Sequence, residues 1–171
     1  MRDDEDKGLL YIGWVILGVF LLLFVTQPAE ASDENGDRYC LALNIYHEAA
    51  NQSFAGQVAV SNVVMNRVDD LQFPNTICEV VYQAKMKENW KGNLVPIKHQ
   101  CQFSWFCDGK PDEPVDSITW VKSIRVADAV LNGDYPDITE GSLWYHADFV
   151  YPYWADDLER VTTIDNHLFY K

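Results

Sequence analysis

A single glutamate stands where two apolar stretches of this chain meet, within residues 39–66. Leu41, Ile45 and Glu48 recur at i, i+4 and i+7, which places them on one face of a predicted helix. A carboxyl in an apolar setting has a raised pKa and can hold a proton near neutral pH, as a general acid must. The alternative is a structural glutamate bonded to backbone amides or to an arginine. The residues of this stretch leave both interpretations open.

Several other catalytic chemistries lack their motifs. The chain contains no G-x-S-x-G and no glycine-rich phosphate loop. His47 and Glu48 begin the H-E-x-x-H pattern of zinc proteases, but position 51 is asparagine. A lone glutamate in a chain rich in aromatic residues favours acid catalysis on a sugar polymer, because a protonated carboxyl can donate to a glycosidic oxygen.

The four cysteines predict disulfides. Cys101 and Cys107 are close enough in sequence to close a small loop, which leaves Cys40 to pair with Cys78. An even number of cysteines is typical of an exported domain. The rival hypothesis is a metal site that uses His99 with two of these cysteines, but H-x-C-x5-C matches no common zinc spacing. We therefore predict no metal and no cofactor.

The order of elements predicts an α+β fold, with a helical body and a small sheet late in the chain. Ser53 is positioned to cap a second helix and Thr76 a short third one, and residues 116–131 form an amphipathic helix. Residues 142–150 and 161–170 are β-prone, with a tight turn at Asp165-Asn166. Residues 84–100 are interpreted as a loop.

Residues 101–109 are dense in aromatic side chains. Gln102 and Ser104 alternate with Phe103 and Trp105, as on an extended segment. The segment is either a disulfide-closed loop with its aromatic side chains packed inward, or the wall of a cleft that offers Gln102 and Ser104 to a ligand. Both interpretations can hold together.

The N-terminal part differs from the rest of the chain. Residues 8–25 form an 18-residue uncharged run, long enough for a membrane span. We predict a signal-anchor within residues 1–31, a linker at 32–38 and a catalytic domain at 39–171; a cleaved signal peptide ending at Ala29-Glu30-Ala31 is the alternative. The predicted location is the inner membrane with the domain on the periplasmic side, or export. The net charge of −13 and the lack of a basic patch argue against nucleic acid.

Motifs along almost the whole exported part carry a family resemblance. The chain resembles the spore cortex-lytic, SleB-like cell wall hydrolases, whose members occur in bacteria and in bacteriophages. The motifs that carry the resemblance are 46–49 (Y-H-E-A), 56–60 (G-Q-V-A-V), 64–68 (V-M-N-R-V), 73–77 (F-P-N-T-I), 80–83 (V-V-Y-Q), 102–105 (Q-F-S-W), Gly141 with 144–147 (W-Y-H-A), and 167–170 (H-L-F-Y).

The resemblance implies a lysozyme-like, lytic-transglycosylase-like fold and cleavage of peptidoglycan glycan strands, for wall remodelling or lysis. It implies that Glu48 is the catalytic glutamate. Gln102 and Ser104 lie in a family motif and are expected to bind substrate, while Tyr145 and His146 are expected to line the cleft opposite Glu48. Two departures are His47, where the family often has a small residue, and Ala50, where it often has arginine; the second puts substrate preference in doubt.

A single carboxylate predicts the reaction type. Glu48 would act first as acid and then as base, so that the muramoyl 6-hydroxyl closes on its own anomeric carbon and leaves a 1,6-anhydro end. The alternatives are a hydrolase with a second carboxylate, for which Asp108, Asp134, Asp137 and Asp148 are candidates, and a non-catalytic wall-binding protein of the same fold. His167 is interpreted as a core histidine bonded to backbone.

Overall fold

The computed structural model describes residues 34–171, so the predicted membrane span at residues 8–25 lies outside the described part. No helix within residues 34–171 has the length and apolar character needed to cross a membrane. The α-helices, in chain order, are α1 (Glu34–Ala49), α2 (Phe54–Asp69), α3 (Ile77–Val81) and α4 (Ser117–Leu131); two short 3-10 helices are η1 (Ser104–Cys107) and η2 (Tyr153–Asp156).

Five strands form two separate sheets. The strands β1 (Ala84–Glu88) and β2 (Leu94–Cys101) form an antiparallel hairpin, and β3 (Trp144–Ala147), β4 (Arg160–Ile164) and β5 (His167–Tyr170) form an antiparallel sheet in the order β3-β5-β4. The α+β prediction is therefore confirmed, with one sheet more than the sequence indicated.

Helix α1 is the centre of the helical body and packs against α2, α3 and α4. Leu41, Leu43 and Ile45 are almost completely buried, because apolar residues occur around most of the helix rather than on one stripe. The helix begins at Glu34, so most of the linker predicted at 32–38 is helical. The polar composition of that segment concealed the helix, since a run of polar residues gives no apolar period.

Two hydrogen bonds hold the start of α2 in place. Ser53 caps the helix by accepting a hydrogen bond from the Gly56 backbone NH, as its sequence position predicted. The backbone NH of Ser53 donates to Asp165 Oδ2 at 2.8 Å, which joins the helix to the turn between β4 and β5. A Cβ on Gly56 would overlap this carboxylate and lie 2.8 Å from Gln52 Cβ. Only glycine allows so close an approach.

The prediction of a loop at residues 84–100 is wrong, because these residues form the β1–β2 hairpin. Most of its residues are exposed, so neither face shows the alternation of apolar and polar residues that marks a half-buried strand. Backbone pairing forms the hairpin, with a register irregularity between the Ala84–Cys101 and Met86–Pro96 pairs.

Residues 101–107 also differ from the predicted extended segment. Strand β2 ends at Cys101 and the 3-10 helix η1 follows from Ser104. The predicted division of side chains is nevertheless correct, because Phe103 and Trp105 are buried while Gln102 and Ser104 are exposed.

Both predicted disulfides are present. Cys40–Cys78 joins α1 to α3, with 5.2 Å between the Cα atoms, and Cys101–Cys107 ties the end of β2 to the end of η1, with 6.1 Å. Each is expected to stabilise the fold by about 2–4 kcal/mol, mainly through the unfolded state.

The three-stranded sheet confirms the late β-prone segments. Tyr145 pairs with Phe169 across β3 and β5, and Ile164 pairs with His167 at the end of the β4–β5 hairpin. The two-residue turn between them is Asp165-Asn166, as predicted, with Asp165 in the left-handed region at a φ of 49°. A short polar residue tolerates this conformation better than most.

Candidate acid–base site

Glu48 lies one residue before the end of α1, beside the buried Ala49. Burial raises the pKa of Glu48 above its ordinary value of 4.5, because a charged carboxylate loses its hydration there. The negative end of the helix dipole acts in the same direction. The carboxyl therefore holds its proton to a higher pH than an exposed glutamate does.

Tyr145 is the direct hydrogen-bond partner of Glu48. Its hydroxyl donates to Glu48 Oε2 at 3.2 Å. The Tyr145 ring packs against Phe169, with ring centroids 5.7 Å apart, and edge-on against His167 at 5.2 Å. Burial raises the pKa of Tyr145 well above its ordinary value, so the hydroxyl keeps its proton and remains a donor. Because this bond favours the ionised carboxylate, it lowers the pKa of Glu48 against the effect of burial.

Arg67 on α2 supplies a second group that favours the ionised form of Glu48. Only 4% of Arg67 is exposed, and burial lowers the pKa of its guanidinium to about 10, which leaves it charged at neutral pH. No ion pair joins Arg67 to Glu48 among the described residues, so its positive charge lowers the pKa of Glu48 from beyond ion-pair distance.

The surroundings of Arg67 hold its side chain in place. Its Nε donates to the Leu143 carbonyl oxygen at 2.8 Å, and its guanidinium carbon lies 5.2 Å from the centre of the Phe73 ring and 5.3 Å from that of Phe103. This is a double cation–π arrangement. The Nη1 atom is buried and has no hydrogen-bond partner within residues 34–171.

The sequence analysis assigned no role to Arg67, although a signal was present. Arg67 follows Val63 by four residues on the inner face of α2, so the helical period places it toward the protein interior. An arginine at such a position needs an electrostatic or hydrogen-bonding reason to be there.

His47 and Trp105 form a wall next to Glu48. Their rings stack with centroids 4.5 Å apart and an interplanar angle of 16°. Trp105 Nε1 donates to Asn44 Oδ1 at 3.1 Å, and His47 Nε2 lies 2.9 Å from the Asp112 carbonyl oxygen, to which it must donate. His47, a departure from the family pattern, is thus held by the segment that follows η1.

The remaining predicted substrate-binding residues are not all brought to Glu48. Gln102 and Ser104 are exposed on the outer side of the disulfide-closed segment. They are connected to the site through Trp105, which contacts His47. Gln102 lines a separate groove at the base of the hairpin.

Strand β3 does not bring the predicted site residue His146 to Glu48. Successive side chains on a strand point to opposite faces, and Tyr145 is the one that faces Glu48. His146 Nδ1 lies 2.9 Å from the Ala147 carbonyl oxygen and Nε2 2.9 Å from the Tyr170 hydroxyl. Because a carbonyl can only accept, Nδ1 carries a proton. The ring also stacks on Tyr170, so His146 holds the sheet together.

His167 is buried, as predicted, but the expected backbone bond at Nδ1 is missing. That atom has no hydrogen-bond partner in the described part of the chain. Burial lowers the pKa of His167 below 6.5, although Asp165 and Asp148 act in the opposite direction. His167 lies on the same face of the sheet as Tyr145 and touches its ring.

Within residues 34–171 no group of three or more His, Cys, Asp or Glu side chains is arranged to hold a metal ion. The four aspartates considered as a second carboxylate are not among the groups that shift the pKa of Glu48. Asp137, for example, accepts hydrogen bonds from the backbone NH groups of Thr139 and Gly141 and organises its own turn.

At the end of α1, a partly buried carboxyl with a raised pKa accepts a hydrogen bond from a tyrosine and feels the charge of a buried arginine. These groups form a candidate acid–base site in an α+β domain. The Cell Wall Hydrolase family matches residues 51–170, and the chain belongs to this family. The match begins just after Glu48.

Comparisons with individual proteins agree with this family assignment. Over 49 residues the chain is 37% identical to the spore cortex-lytic enzymes of Bacillus cereus and Bacillus subtilis, which is 29% of this chain and 19% and 16% of theirs. The aligned stretch thus spans a fifth or less of these relatives.

Two solved structures are similar over most of the described fold. The catalytic domain of the Bacillus cereus SleB protein has a TM-score of 0.58 at 26% identity, covering 80% of this chain and 91% of that domain. The catalytic domain of the germination-specific lytic transglycosylase SleB from Bacillus anthracis has a TM-score of 0.59 at 26% identity, covering 84% and 99%.

Proposed function

We propose that this protein is an enzyme that cleaves the glycan strands of peptidoglycan, with Glu48 as its acid and base. The observation that carries the proposal is the partly buried Glu48 carboxyl with the Tyr145 hydroxyl 3.2 Å from Oε2. Membership of the Cell Wall Hydrolase family and likeness to a lytic transglycosylase support the substrate class. The same likeness supports a lysozyme-like arrangement of the helical body.

In the first step, Glu48 donates its proton to the glycosidic oxygen between muramic acid and glucosamine as the bond to the anomeric carbon breaks. The carboxylate that forms is stabilised by the Tyr145 O–H and by the positive charge of Arg67, since both favour the ionised form. Burial favours the protonated form before the step. These opposing influences suit a group that must give up a proton and then take one back.

In the second step, the Glu48 carboxylate takes the proton of the muramoyl 6-hydroxyl. The oxygen of that hydroxyl bonds at the same time to the anomeric carbon. The product is a 1,6-anhydromuramoyl end, and Glu48 is again protonated. Because Glu48 acts as both acid and base and the substrate supplies the nucleophile, this route needs no second carboxylate to activate a water molecule.

The test is Glu48→Gln, with the exposed Glu159→Gln as matched control. The amide cannot donate an acidic proton, so Glu48→Gln should lose nearly all activity on purified peptidoglycan while circular dichroism shows a folded protein. Mass spectrometry of wild-type products should find 1,6-anhydro ends, with or without a chelator. Reducing muramic ends would make the enzyme a hydrolase, and full activity of Glu48→Gln would refute the site.

The location is a separate proposal. The uncharged run at residues 8–25 anchors the protein in the inner membrane with the domain outside, and the two disulfides are compatible with an oxidising compartment. Cell fractionation should find the full-length protein in the membrane fraction. Full-length protein in the cytoplasmic fraction would contradict the anchor.

A further inference from the structure

A groove of about 530 Å³ lies at the base of the β1–β2 hairpin, apart from Glu48. It is lined by Gln83, Lys85, Gln100, Cys101, Gln102 and Tyr153. The hairpin supplies one side, and Tyr153 comes from η2, which lies between β3 and β4 in the chain. The groove thus lies between two segments that are distant in the chain.

An irregularity in the hairpin shapes this groove. Between the Met86–Pro96 and Ala84–Cys101 pairs, β1 advances two residues while β2 advances five. The extra residues include His99, whose φ of 62° is in the left-handed region. Left-handed histidines are uncommon and store strain, and bulges often redirect side chains beside functional sites. Here the bulge directly precedes Gln100 and Gln102.

Tyr153 offers an aromatic face to the groove. Its side chain is 91% exposed, whereas the next residue, Trp154, packs against His146 and Tyr170. The anchored tryptophan and the buried Ala155 fix the short helix, so Tyr153 is held outward by its neighbours. An exposed aromatic ring on a fixed backbone is a suitable surface for the apolar face of a sugar ring.

The other lining groups can form hydrogen bonds with an uncharged ligand. Gln83, Gln100 and Gln102 provide amides that both donate and accept. The backbone NH of Gln102 donates to the Gln83 carbonyl oxygen at 2.9 Å, which holds two of these residues together. Gln83 Oε1 is buried without a partner among the described residues, and rotation of the side-chain amide would offer it to an N–H donor such as an acetamido group.

Lys85 adds a positive charge to the groove. Residues 84–101 contain four lysines and one glutamate, in a chain whose net charge is −13. This hairpin is therefore a local exception in an acidic protein, and it attracts carboxylates that the rest of the surface repels.

We propose that this groove binds a hexosamine unit of the glycan strand outside the cleaved bond, with the sugar ring on Tyr153 and Lys85 facing a carboxylate on the muramoyl branch. The inference rests on the proposed function, because it takes the substrate class from it. The disulfide-closed segment 101–107 joins the groove to the helix that carries Glu48: Cys101 and Gln102 line the groove, while Trp105 stacks on His47, the residue before Glu48 in α1. A polymer that occupies both is bound at more than one sugar.

The experiment measures binding to insoluble peptidoglycan in the full-length Glu48→Gln background, so that cleavage does not intervene. Tyr153→Ala should weaken binding about tenfold, as expected for an aromatic anchor. The matched control is Phe149→Ala, since Phe149 is 83% exposed but does not line the groove. Equal losses in both variants, or no loss in Tyr153→Ala, would overturn the sugar platform.

Lys85→Gln should weaken binding about two- to fivefold at low salt, while Lys122→Gln on α4 should not. Binding of Lys85→Gln to glycan strands with and without their stem peptides identifies the carboxylate that Lys85 faces. A loss restricted to peptide-bearing strands assigns it to the stem peptide, and a loss restricted to stripped strands assigns it to the lactyl group. An equally small effect on both would overturn the role of Lys85.

Failure of this inference can be distinguished from failure of the proposed function. Wild-type cleavage activity with unchanged binding in Tyr153→Ala would reject the groove and leave Glu48 intact. Binding that depends on Tyr153, in a wild-type protein without cleavage activity, would keep the groove and reject the enzyme.

Discussion

The two faces of strand β3 differ in how completely their buried polar atoms are hydrogen-bonded. On one face, Tyr145 meets Glu48, while His167 Nδ1 and the nearby Arg67 Nη1 are buried without partners among the described residues. On the other face, both ring nitrogens of His146 have oxygen partners at 2.9 Å. Since buried polar atoms are nearly always satisfied, the face with unmet hydrogen bonds is the one where function has priority over stability.

Two Tyr→Phe substitutions provide the strongest test of this difference. Tyr145→Phe removes a hydrogen bond to a carboxylate that forms during the reaction, so kcat/KM on peptidoglycan should fall about 10- to 100-fold. Tyr170→Phe removes the bond to His146 and should cost about 1 kcal/mol of unfolding free energy. Its activity per folded molecule should stay near the wild-type value. Similar activity losses in both variants would abolish the distinction between the faces.

Replacing Arg67 should change how activity depends on pH. Without its charge, the pKa of Glu48 rises, so the alkaline limit of activity in Arg67→Met should move to higher pH. The rate at neutral pH should fall about tenfold, because the carboxylate formed by proton transfer is less stable. A pH–rate profile of Arg67→Met beside the exposed Arg125→Met makes the comparison. An unshifted limit would show that Arg67 serves the fold alone.

The two histidines should respond oppositely to replacement by phenylalanine. His146→Phe removes the bond to the Ala147 carbonyl, which the Val150 backbone NH still satisfies at 3.0 Å, and leaves the Tyr170 hydroxyl without its His146 partner. The loss of both His146 bonds should cost about 2 kcal/mol. His167→Phe removes an unpartnered nitrogen and should raise the unfolding free energy by about 1 kcal/mol at pH 7. Urea unfolding of the two variants measures both values. A large destabilisation in His167→Phe would show that its ring is better satisfied than the geometry indicates.

The smallest expected effect is the pH dependence of stability. The pKa of Glu48 is raised on folding, so Glu48→Gln should be more stable than wild type at pH 7, with the gap closing as the pH falls toward 4.5. The pKa of His167 is lowered on folding, so its titration costs no stability above pH 6.5, and the wild type loses stability as the pH falls below 6.5 because the unfolded state takes up the proton first. Between pH 4 and 8, the difference in unfolding free energy between variant and wild type should therefore increase with pH for Glu48→Gln and decrease with pH for His167→Phe. Parallel slopes would contradict this assignment.

Features written in local sequence were predictable. Ser53 and Thr76 cap their helices with the expected hydrogen bonds, since a cap depends on residues three positions apart. The turn at Asp165-Asn166 follows from its residue types. The β1–β2 hairpin could not be predicted from the sequence, because its exposed strands show no alternation of buried and exposed residues.

The site was predictable in its centre and less so in its partners. Glu48 is partly buried at the position that the helical period indicated. The face on which His146 lies could not be predicted, because a β-prone segment does not reveal which of two successive residues faces the core, and a shift of one residue exchanges the faces. Arg67 depends on Phe73 and Phe103, which only folding brings to it.

The contact between Gly56 and Asp165 links two positions across the chain. A side chain at position 56 would occupy the space of the Asp165 carboxylate, which also receives the Ser53 backbone NH. In evolutionary terms, neither residue can be replaced freely while the other is retained. Among related sequences that share this turn, a residue larger than glycine at position 56 should therefore occur together with a shorter or displaced side chain at position 165.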